Sequence, residues 1–415
     1  MGNTNIKKPE LVSPAGNWSA LYSAIESGAD SIYFGVKGIN MRNLASNFDI
    51  FEIKKVMHTL HNKHKKGYLA LNVIAYNQEV DKITNILEEA KKWEVDAVIL
   101  WDMGIFHLAK KIGLKIHLST QASVSNFLSV KEYNSLGVKR IVLARECELG
   151  DIKHIISQIN SQDIDCEVEA FIHGAMCISL SGRCLLSEYT FLKSANRGEC
   201  LQPCRREFVI MDKDQESEYI LGEDYVLSPK DLCSIEFIDK LIESGISAFK
   251  IEGRNRSQEY TRVVTSVYRK AIDSYFNGNF NEELKQELKE QLYSVYNRGF
   301  SDGFYFGIQE KAISRKLENS YEKIFLGEVV KFYKKIGVAE IRIRNGELKK
   351  GDTVLCIGKK TPAFFTIAKD IQINHAFVNI LSRGDVGGVK LSSFAKPKDK
   401  VFIWRKKYIK AFDNL

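Results

Sequence analysis

The sequence lacks the long apolar segments that carry a chain into or across a membrane. Its opening residues, MGNTNIKKPELVSPAG, contain no apolar core of signal-peptide length. Nowhere in the chain is there a run of about 18 apolar residues, the length that a membrane-spanning helix needs. We therefore expect a cytoplasmic protein with no membrane partner, in which the cysteines stay reduced instead of forming disulfides.

Motifs of several enzyme classes are also missing. The chain has no His-Glu-x-x-His, the signature of many zinc proteases. No Gly-x-Gly-x-x-Gly follows the first predicted strand and no Walker sequence occurs, which argues against a nucleotide cofactor. Radical enzymes that use S-adenosylmethionine need C-x3-C-x2-C, but after Cys200 and Cys204 the third place is Glu207. That radical class is therefore disfavoured.

Cysteine is the residue type that stands out against these absences. Four of the eight cysteines, Cys177, Cys184, Cys200 and Cys204, lie in HGAMCISLSGRCLL and NRGECLQPCRREF, among glycines and basic residues. Thiolates are soft ligands that select zinc, copper(I) or iron–sulfur clusters. Structural zinc sites usually bring two close cysteine pairs, whereas the steps here are seven, sixteen and four residues. The spacing favours a four-cysteine iron–sulfur cluster, with structural zinc and incidental buried thiols as the alternatives.

The other four cysteines are isolated from this group. Cys147, Cys166 and Cys356 lie singly in strand-like or core-like segments, where a free cysteine behaves as a small hydrophobic residue. Cys233, in SPKDLCSIEFI, follows the cluster region by a modest gap. It is the alternative to Cys204 as the fourth ligand.

Charge is distributed unevenly along the chain. Residues 1–320 contain 40 Lys and Arg against 43 Asp and Glu, whereas residues 321–415 contain 20 against 9. This shift predicts two domains, a near-neutral one over 1–320 and a basic one over 321–415. A basic module attached to a neutral one suggests a polyanionic partner, and nucleic acid fits better than a membrane. The alternative is a lysine-rich surface that serves only solubility.

The pattern of apolar runs predicts an α/β fold over residues 1–320. Short β-rich runs alternate with helix-length segments such as 51–66 and 79–93, as in a parallel sheet. Eight units of this kind favour a (β/α)8 TIM-like barrel with a cysteine-rich insertion at about 175–245. The predicted strands are 10–15, 31–36, 68–73, 97–101, 115–119, 140–144, 167–174 and 249–253. From about residue 325, short strands and glycine turns predict a small C-terminal β-barrel.

Polar residues follow many of these strands, at the end of a TIM-like barrel where active sites lie. Those that we take as catalytic candidates are Gln121, His173, Glu252 and Arg254. Arg145 and Arg42 follow other predicted strands and are further candidates for binding a ligand at this end of the barrel. For any one of these residues, a polar loop position or a helix cap is the alternative. Their coincidence with the cysteine insertion favours a functional role.

Six stretches resemble the motifs of the collagenase-like peptidase family. They are EAFIHGAMCISLSGRC (169–184), SPAG (13–16), GADSIYFG (28–35), STQAS (119–123), CLQPCR (200–205) and KIEGR (250–254). The resemblance spans nearly the whole chain and includes a C-terminal β-barrel similar to a translation-factor domain.

Within this family, the sequence is most similar to members that have both cysteine pairs and the C-terminal barrel, and this similarity implies a specific activity. The resemblance implies an enzyme with a [4Fe–4S] cluster that forms 5-hydroxyuridine at the wobble position of tRNA without molecular oxygen, with prephenate as the hydroxyl source. It implies Cys177, Cys184, Cys200 and Cys204 as ligands. Because the last ligand differs among relatives, Cys233 stays as the alternative. A dicarboxylate donor such as prephenate makes Arg254, Arg145 and Arg42 candidates for binding it, because a guanidinium pairs with a carboxylate through two parallel hydrogen bonds.

Other functions and partners stay open at this point. The family name implies a peptidase or accessory protease, and zinc at the cysteines would suit a non-catalytic RNA-binding factor. Ribosomal RNA or a quinone precursor are alternative hydroxylation substrates, of which the basic C-terminal module favours RNA. An electron donor protein and a homo- or hetero-oligomer with a related family member are further expected partners.

Overall fold

The computed structural model describes residues 6–206, 209–212, 217–220, 227–307 and 319–407, so parts of the predicted insertion and residues 408–415 of the predicted C-terminal domain lie outside it. The larger part of the structure is a closed barrel of eight parallel strands, which confirms the predicted fold class. The strands are β1 (Glu10–Ala15), β2 (Ser31–Gly35), β3 (Lys66–Ala70), β4 (Ala97–Leu100), β5 (Ile116–Leu118), β6 (Arg140–Val142), β7 (Glu167–Gly174) and β11 (Ala248–Ile251). Strand β11 closes the barrel between β7 and β1.

Helices follow most barrel strands and cover the outside of the barrel. They are α1 (Trp18–Glu26), α2 (Ile53–His61), α3 (Val80–Lys92), α4 (Met103–Ile112), α5 (Phe127–Ser135), α6 (Leu149–Ser161), α8 (Ile238–Glu243), α9 (Gln258–Phe276) and α10 (Glu282–Ser294), whereas α7 (Leu186–Phe191) lies in the cysteine-rich insertion. The helix predicted over 51–66 ends at His61, because β3 already begins at Lys66. Asp102 caps α4 by accepting the backbone N–H groups of Gly104 and Ile105, so its role is structural.

Four short strands that the sequence did not predict lie outside the barrel. Strands β8 (Val209–Asp212) and β9 (Ser217–Ile220) form an antiparallel pair. Strand β10 (Asp231–Cys233) pairs antiparallel with the end of β7, and β12 (Phe300–Ser301) pairs with β10. The last two strands are too short to produce a recognisable pattern of alternation.

A layer of ion pairs fills the N-terminal end of the barrel. Arg140, the first residue of β6, is buried and binds Glu10 through two hydrogen bonds of 3.0 Å. It also contacts Glu169 of β7 at 3.3 Å, and Glu169 in turn pairs with Lys250 of β11 at 2.7 Å. These paired side chains fill the N-terminal part of the barrel interior, and Lys250 also borders the cavity at the opposite end.

The C-terminal region forms an antiparallel half-barrel. Its eight-stranded sheet has the order β17-β16-β22-β13-β14-β21-β18-β19, and β15 pairs with β20 beside it. The strands are β13 (Tyr321–Tyr333), β14 (Val338–Ile343), β15 (Glu347–Lys349), β16 (Thr353–Ile357), β17 (Phe364–Ile367), β18 (Ile371–Ile373), β19 (Ala376–Val378), β20 (Ile380–Ser382), β21 (Val386–Lys390) and β22 (Lys400–Lys406). The sheet encloses its own apolar core, separate from that of the barrel.

The half-barrel packs against helices α1 and α9 on the side of the barrel. Ser19 of α1 donates to the backbone carbonyl of Thr361 at 3.0 Å, and the backbone N–H of Ala363 donates to Ser23 at 3.0 Å. Lys323 of β13 pairs with Glu259 of α9 at 2.5 Å. Removing the half-barrel would therefore uncover buried parts of α1. Across the described ranges, no helix is long and apolar enough to cross a membrane.

Candidate functional site

The cysteine insertion begins at the end of β7 and folds over the C-terminal mouth of the barrel. Gly174 has a φ of +111°, and a Cβ added there would lie 2.5 Å from the carbonyl oxygen of Glu252. Gly198 has a φ of +83°, and its added Cβ would lie 2.2 Å from the carbonyl oxygen of Asn40, in the loop after β2. Only glycine allows these close approaches, so the two residues let the insertion lie directly on the rim.

The four cysteines of the insertion open onto one cavity at this mouth. The cavity has a volume of about 460 Å³, and Cys177, Cys184, Cys200 and Cys204 all line it. Burial raises the pKa of the Cys200 thiol, and the negative charges of Cys177 and Cys184 raise it further. The same causes, together with the charge of Cys200, raise the pKa of Cys204. The thiolates therefore repel one another when ionised, and a shared metal cluster would relieve this repulsion.

The chemistry of this donor set fits an iron–sulfur cluster. Thiolates are the ligands that such clusters use, and Arg42 and Arg205 lie close enough to Cys200 and Cys204, respectively, to stabilise negative charge. The backbone N–H of Leu186 donates to the sulfur of Cys184 at 3.4 Å, which is the kind of hydrogen bond found at the cysteine ligands of such clusters. Within the described ranges, no three His, Cys, Asp or Glu side chains already converge on one point as metal ligands. The four cysteines thus share a cavity without forming a closed coordination sphere.

Cys233, the alternative fourth ligand, lies elsewhere. It is buried on β10, and the hydroxyl of Tyr268 donates to its sulfur at 3.8 Å. Burial raises the pKa of its thiol to about 11. Cys233 is not among the residues that line the cavity, so the geometry favours Cys204. Cys147, Cys166 and Cys356 are buried, as predicted.

Glu252, just past β11, is held by arginines at the cavity wall. Arg42 binds its Oε1 through Nε at 3.1 Å, and Arg145 lies 3.7 Å from its Oε2. Burial raises the pKa of the Glu252 carboxyl, but the charges of Arg42, Arg145 and Arg254 outweigh burial and lower the pKa to about 2. Glu252 is therefore ionised at neutral pH, which suits anchoring of arginines and does not suit general acid catalysis.

We expect the stability gained from Glu252 to depend on pH. Its pKa in the folded protein, about 2, lies below the usual 4.5, so ionisation stabilises the fold above about pH 4.5 and this contribution is lost as the pH falls towards 2. Glu252→Gln should therefore be less stable than the parent at pH 7, and the gap should narrow below about pH 4. Urea unfolding across this pH range measures it, with Glu282→Gln on the surface as control. A gap that stays constant with pH would refute the explanation.

Arg254 is the buried arginine with the weakest protein pairing described in this group. Its Nη1 donates to Oδ1 of Asn40 at 3.2 Å, and its guanidinium lies 5.6 Å from the centre of the Tyr33 ring. Burial lowers its pKa to about 10, although the charges of Tyr33 and Glu252 act in the opposite direction. The positive charge of Arg254 is therefore only partly neutralised by protein groups, and a ligand carboxylate would neutralise the rest.

Gln121 also lines the cavity, as its position after β5 predicted. Its side-chain oxygen accepts hydrogen bonds from the Ser119 hydroxyl and from Nδ2 of Asn72. Both neighbours line the same wall. Because its oxygen faces these two residues, its amide N–H groups are the part that can donate to a ligand.

His173, a predicted catalytic residue, does not line the cavity. It is buried against Tyr260, Tyr268 and Phe300, and its Nδ1 lies 3.3 Å from the hydroxyl of Tyr268. Burial lowers its pKa to about 3, so the ring is neutral. The register between β7 and β11 shifts at this level, and a shift of one residue turns a side chain to the other face of a strand. We therefore assign His173 a packing role.

Basic residues that sequence reasoning did not single out complete the cavity wall. Arg205, Lys250, Arg256 and Arg298 line it beside Arg42, Arg145 and Arg254, whereas Glu252 is the one carboxylate among the described lining residues. Asp231, buried on β10, holds Arg256 at 3.3 Å and Arg298 at 3.2 Å. Arg205 adjoins Cys204, and Arg256 lies two residues after Arg254. Their proximity in sequence to these motif residues is the signal that could have identified them as cavity residues. Although Lys250, Arg256 and Arg298 are paired with the buried carboxylates of Glu169 and Asp231, the wall keeps a net positive charge and suits an anionic ligand.

The fold and the site together define a TIM-like barrel protein with a cysteine-lined, cationic cavity at its mouth. A family model described as Peptidase family U32 matches residues 16–315. An uncharacterized protease of Methanocaldococcus jannaschii is 41% identical and covers 95% of this chain and 98% of its own length. A collagenase of Porphyromonas gingivalis is 34% identical over 97% of this chain and 99% of its own length. The tRNA hydroxylation protein P1 of Bacillus subtilis is 35% identical over 86% and 85%.

The chain belongs to peptidase family U32. The matches to the first two relatives cover both the barrel and most or all of the C-terminal half-barrel. The family resemblance expected from the cysteine motifs is thereby confirmed.

Proposed function

We propose that this protein is an oxygen-independent tRNA hydroxylase that forms 5-hydroxyuridine at the wobble uridine. The observation that carries the proposal is the opening of four cysteines onto one cationic cavity at the barrel mouth. A relative that is 35% identical over 86% of this chain, and is named as a tRNA hydroxylation protein, supports the same activity. A tRNA substrate would place the protein in the cytoplasm. Incubating the anaerobically purified protein with unmodified tRNA and prephenate tests the proposal, and 5-hydroxyuridine is the expected product.

A [4Fe–4S] cluster would be held by Cys177, Cys184, Cys200 and Cys204. With all four thiolates bound, the cluster would supply electron transfer; with only three bound, it would also offer an iron atom with a free coordination position. The chain's own contribution is to shield this region from water, since the insertion covers the barrel mouth. Arg42 and Arg205 would offset the negative charge of the thiolates.

Prephenate is the proposed hydroxyl donor, and its two carboxylates would bind the cationic wall. Arg254 and Arg145 lie on the same cavity as the cysteines, and a guanidinium binds a carboxylate through two parallel hydrogen bonds. Glu252 would orient Arg42 and Arg145. Gln121 would donate an amide hydrogen bond to the donor or to the target base.

The basic half-barrel is the proposed contact to the phosphates of tRNA. Lys331, Lys334 and Lys335 are exposed near the turn between β13 and β14. If they contact phosphates, neutralising all three as Lys→Gln should weaken tRNA binding and reduce the slope of log affinity against log salt, by about 0.7–0.9 for each phosphate that is no longer neutralised. Fluorescence anisotropy of the full chain at several salt concentrations measures the slope.

A matched control uses three exposed lysines of the barrel. Lys63→Gln, Lys111→Gln and Lys153→Gln remove the same charge from the helical face of the barrel. We expect this triple variant to retain the parent slope. Equal slopes for both triple variants would mean that the β13–β14 turn does not contact the nucleic acid.

A peptidase is the second candidate, because two similar relatives are named as a protease and a collagenase. Residues 299–303 match Gly-x-Ser-x-Gly, the sequence around the nucleophilic serine of many hydrolases. However, Ser301 lies in β12 and its hydroxyl oxygen accepts from the backbone N–H of Gly303 at 3.4 Å, unlike the exposed strand-to-helix turn of hydrolases. Ser301 is therefore not placed as the nucleophile of a hydrolase, and Ser301→Ala should leave any peptide cleavage by the protein unchanged. Hydroxylation of ribosomal RNA by the same chemistry is the alternative within the hydroxylase proposal.

A further inference from the structure

Exposed apolar side chains are concentrated around the barrel mouth. Among the described residues of the barrel and the insertion, all the large exposed apolar side chains except Phe276 and Phe306 lie in the loops after strands, in the first turns of the following helices or in the insertion. In a parallel barrel these segments surround the C-terminal end. Seven of them are more than half exposed, and five of the seven define what we call the crown: Leu44, Tyr76, Leu128, Tyr189 and Leu192; the other two are Phe51 and Leu180. A cluster of this kind usually marks a binding surface.

Arginines of the insertion lie over aromatic rings within the same surface. The pairs are Arg197 over Tyr76 at 5.1 Å, Arg206 over Phe191 at 4.5 Å and Arg183 over Trp101 at 5.9 Å. A guanidinium and an aromatic ring both offer flat faces on which a nucleobase can stack. Tyr189 is 81% exposed and Leu192 is 89% exposed, so their surfaces are available to a partner.

The cavity beneath the crown decides which partner fits. Its volume of about 460 Å³ is on the scale of one small ligand or one nucleobase with its donor and excludes a base-paired duplex. Its lining is cationic, with seven basic residues against one carboxylate among the described residues, and therefore attracts phosphate groups at the mouth. An RNA that delivers one nucleotide into the cavity must leave the neighbouring nucleotides outside, against the crown.

We propose that the crown binds an unpaired RNA loop by stacking the nucleotides that flank the target base. This inference rests on the proposed function and adds a second contact to RNA besides the basic half-barrel. Stacking on Tyr189 and Tyr76 involves no phosphate. The crown should therefore contribute affinity that depends little on salt, in contrast to the lysines of the half-barrel.

The experiment compares two RNA probes on the full chain. One is an RNA hairpin with an unpaired loop, and the other is a fully paired duplex of the same length. Tyr189→Ala should weaken hairpin binding about tenfold, which is the usual effect of removing one aromatic ring that stacks on a base. Its salt slope and its binding to the duplex should stay unchanged. Tyr189→Phe should restore binding, because the ring is kept. Phe276 is an exposed aromatic residue at the C-terminal end of α9, away from the barrel mouth, so Phe276→Ala should have no effect on hairpin binding.

The other outcomes each separate one part of the account. If Tyr189→Ala binds the hairpin as the parent does while the parent hydroxylates tRNA, the crown inference is wrong and the proposed function stands. If the parent neither prefers the hairpin nor modifies tRNA, the proposed function itself is wrong. Loss of a complex with a second protein in Tyr189→Ala, with hairpin binding unchanged, would assign the crown to a protein partner and overturn the inference.

Discussion

Cys177→Ala, Cys184→Ala, Cys200→Ala and Cys204→Ala are each expected to yield folded protein without a stable iron–sulfur cluster. All four sulfur atoms open onto the same cavity, and losing one of four thiolates usually makes a cluster labile. Anaerobically purified variants should lack the brown absorbance of the parent and most of its iron and acid-labile sulfide. Hydroxylation should fall to background in every case. Circular dichroism checks that the barrel remains folded.

The matched control is a buried cysteine outside the cavity. Cys233→Ala should keep full iron and sulfide content, because its sulfur faces Tyr268. Absence of the cluster in Cys233→Ala and its presence in Cys204→Ala would move the fourth ligand to Cys233. Full iron and sulfide content in Cys177→Ala would reject the assignment as a whole, and stoichiometric zinc in the parent would favour a structural metal site.

Arg254→Lys is expected to weaken the use of the hydroxyl donor by roughly ten- to a hundredfold. Such a loss corresponds to about 1.5–3 kcal/mol, the usual range for a hydrogen bond to a charged group. The substitution keeps the positive charge, but an ammonium cannot form the two parallel hydrogen bonds of a guanidinium. Hydroxylation rates measured over a range of prephenate concentrations should therefore show a higher half-saturating concentration with cluster content unchanged.

Two comparisons separate this role from a structural one. Arg254 donates to Asn40 in the loop after β2. If the role of Arg254 is purely structural, Arg254→Lys should lower thermal stability and leave the response to prephenate concentration unchanged. That combination would remove Arg254 from the site. Arg262→Lys, in a surface pair with Glu26, is the control and should match the parent in both measurements.

The barrel was predictable because buried parallel strands are short, continuous apolar runs. YLALNV and AVILW each contain part or all of one barrel strand, although β3 begins at Lys66 and ends at Ala70, so its predicted boundaries were displaced. The residues after these strands were expected at one rim, and Gln121, Arg145, Glu252 and Arg254 do line one cavity. The boundary between the two domains near residue 320 stays a prediction.

What the sequence did not predict depends on contacts between distant segments. His173 has the right position along β7, but the register shift beside β11 and its packing against Tyr268 direct it away from the cavity. Arg256 and Arg298 reach the cavity through Asp231, a buried residue of a strand only three residues long. Such pairings arise from tertiary structure and leave no periodic pattern in the sequence.

The measurement that tests the central claim most directly is nucleoside analysis by mass spectrometry of tRNA from a strain lacking this protein. The account predicts that 5-hydroxyuridine disappears from the tRNA, that the parent gene restores it and that a Cys200→Ala gene does not. Ribosomal RNA from the same cells should keep its modifications. Unchanged 5-hydroxyuridine in the deletion strain, or full restoration by the Cys200→Ala gene, would contradict a cluster-dependent tRNA hydroxylase.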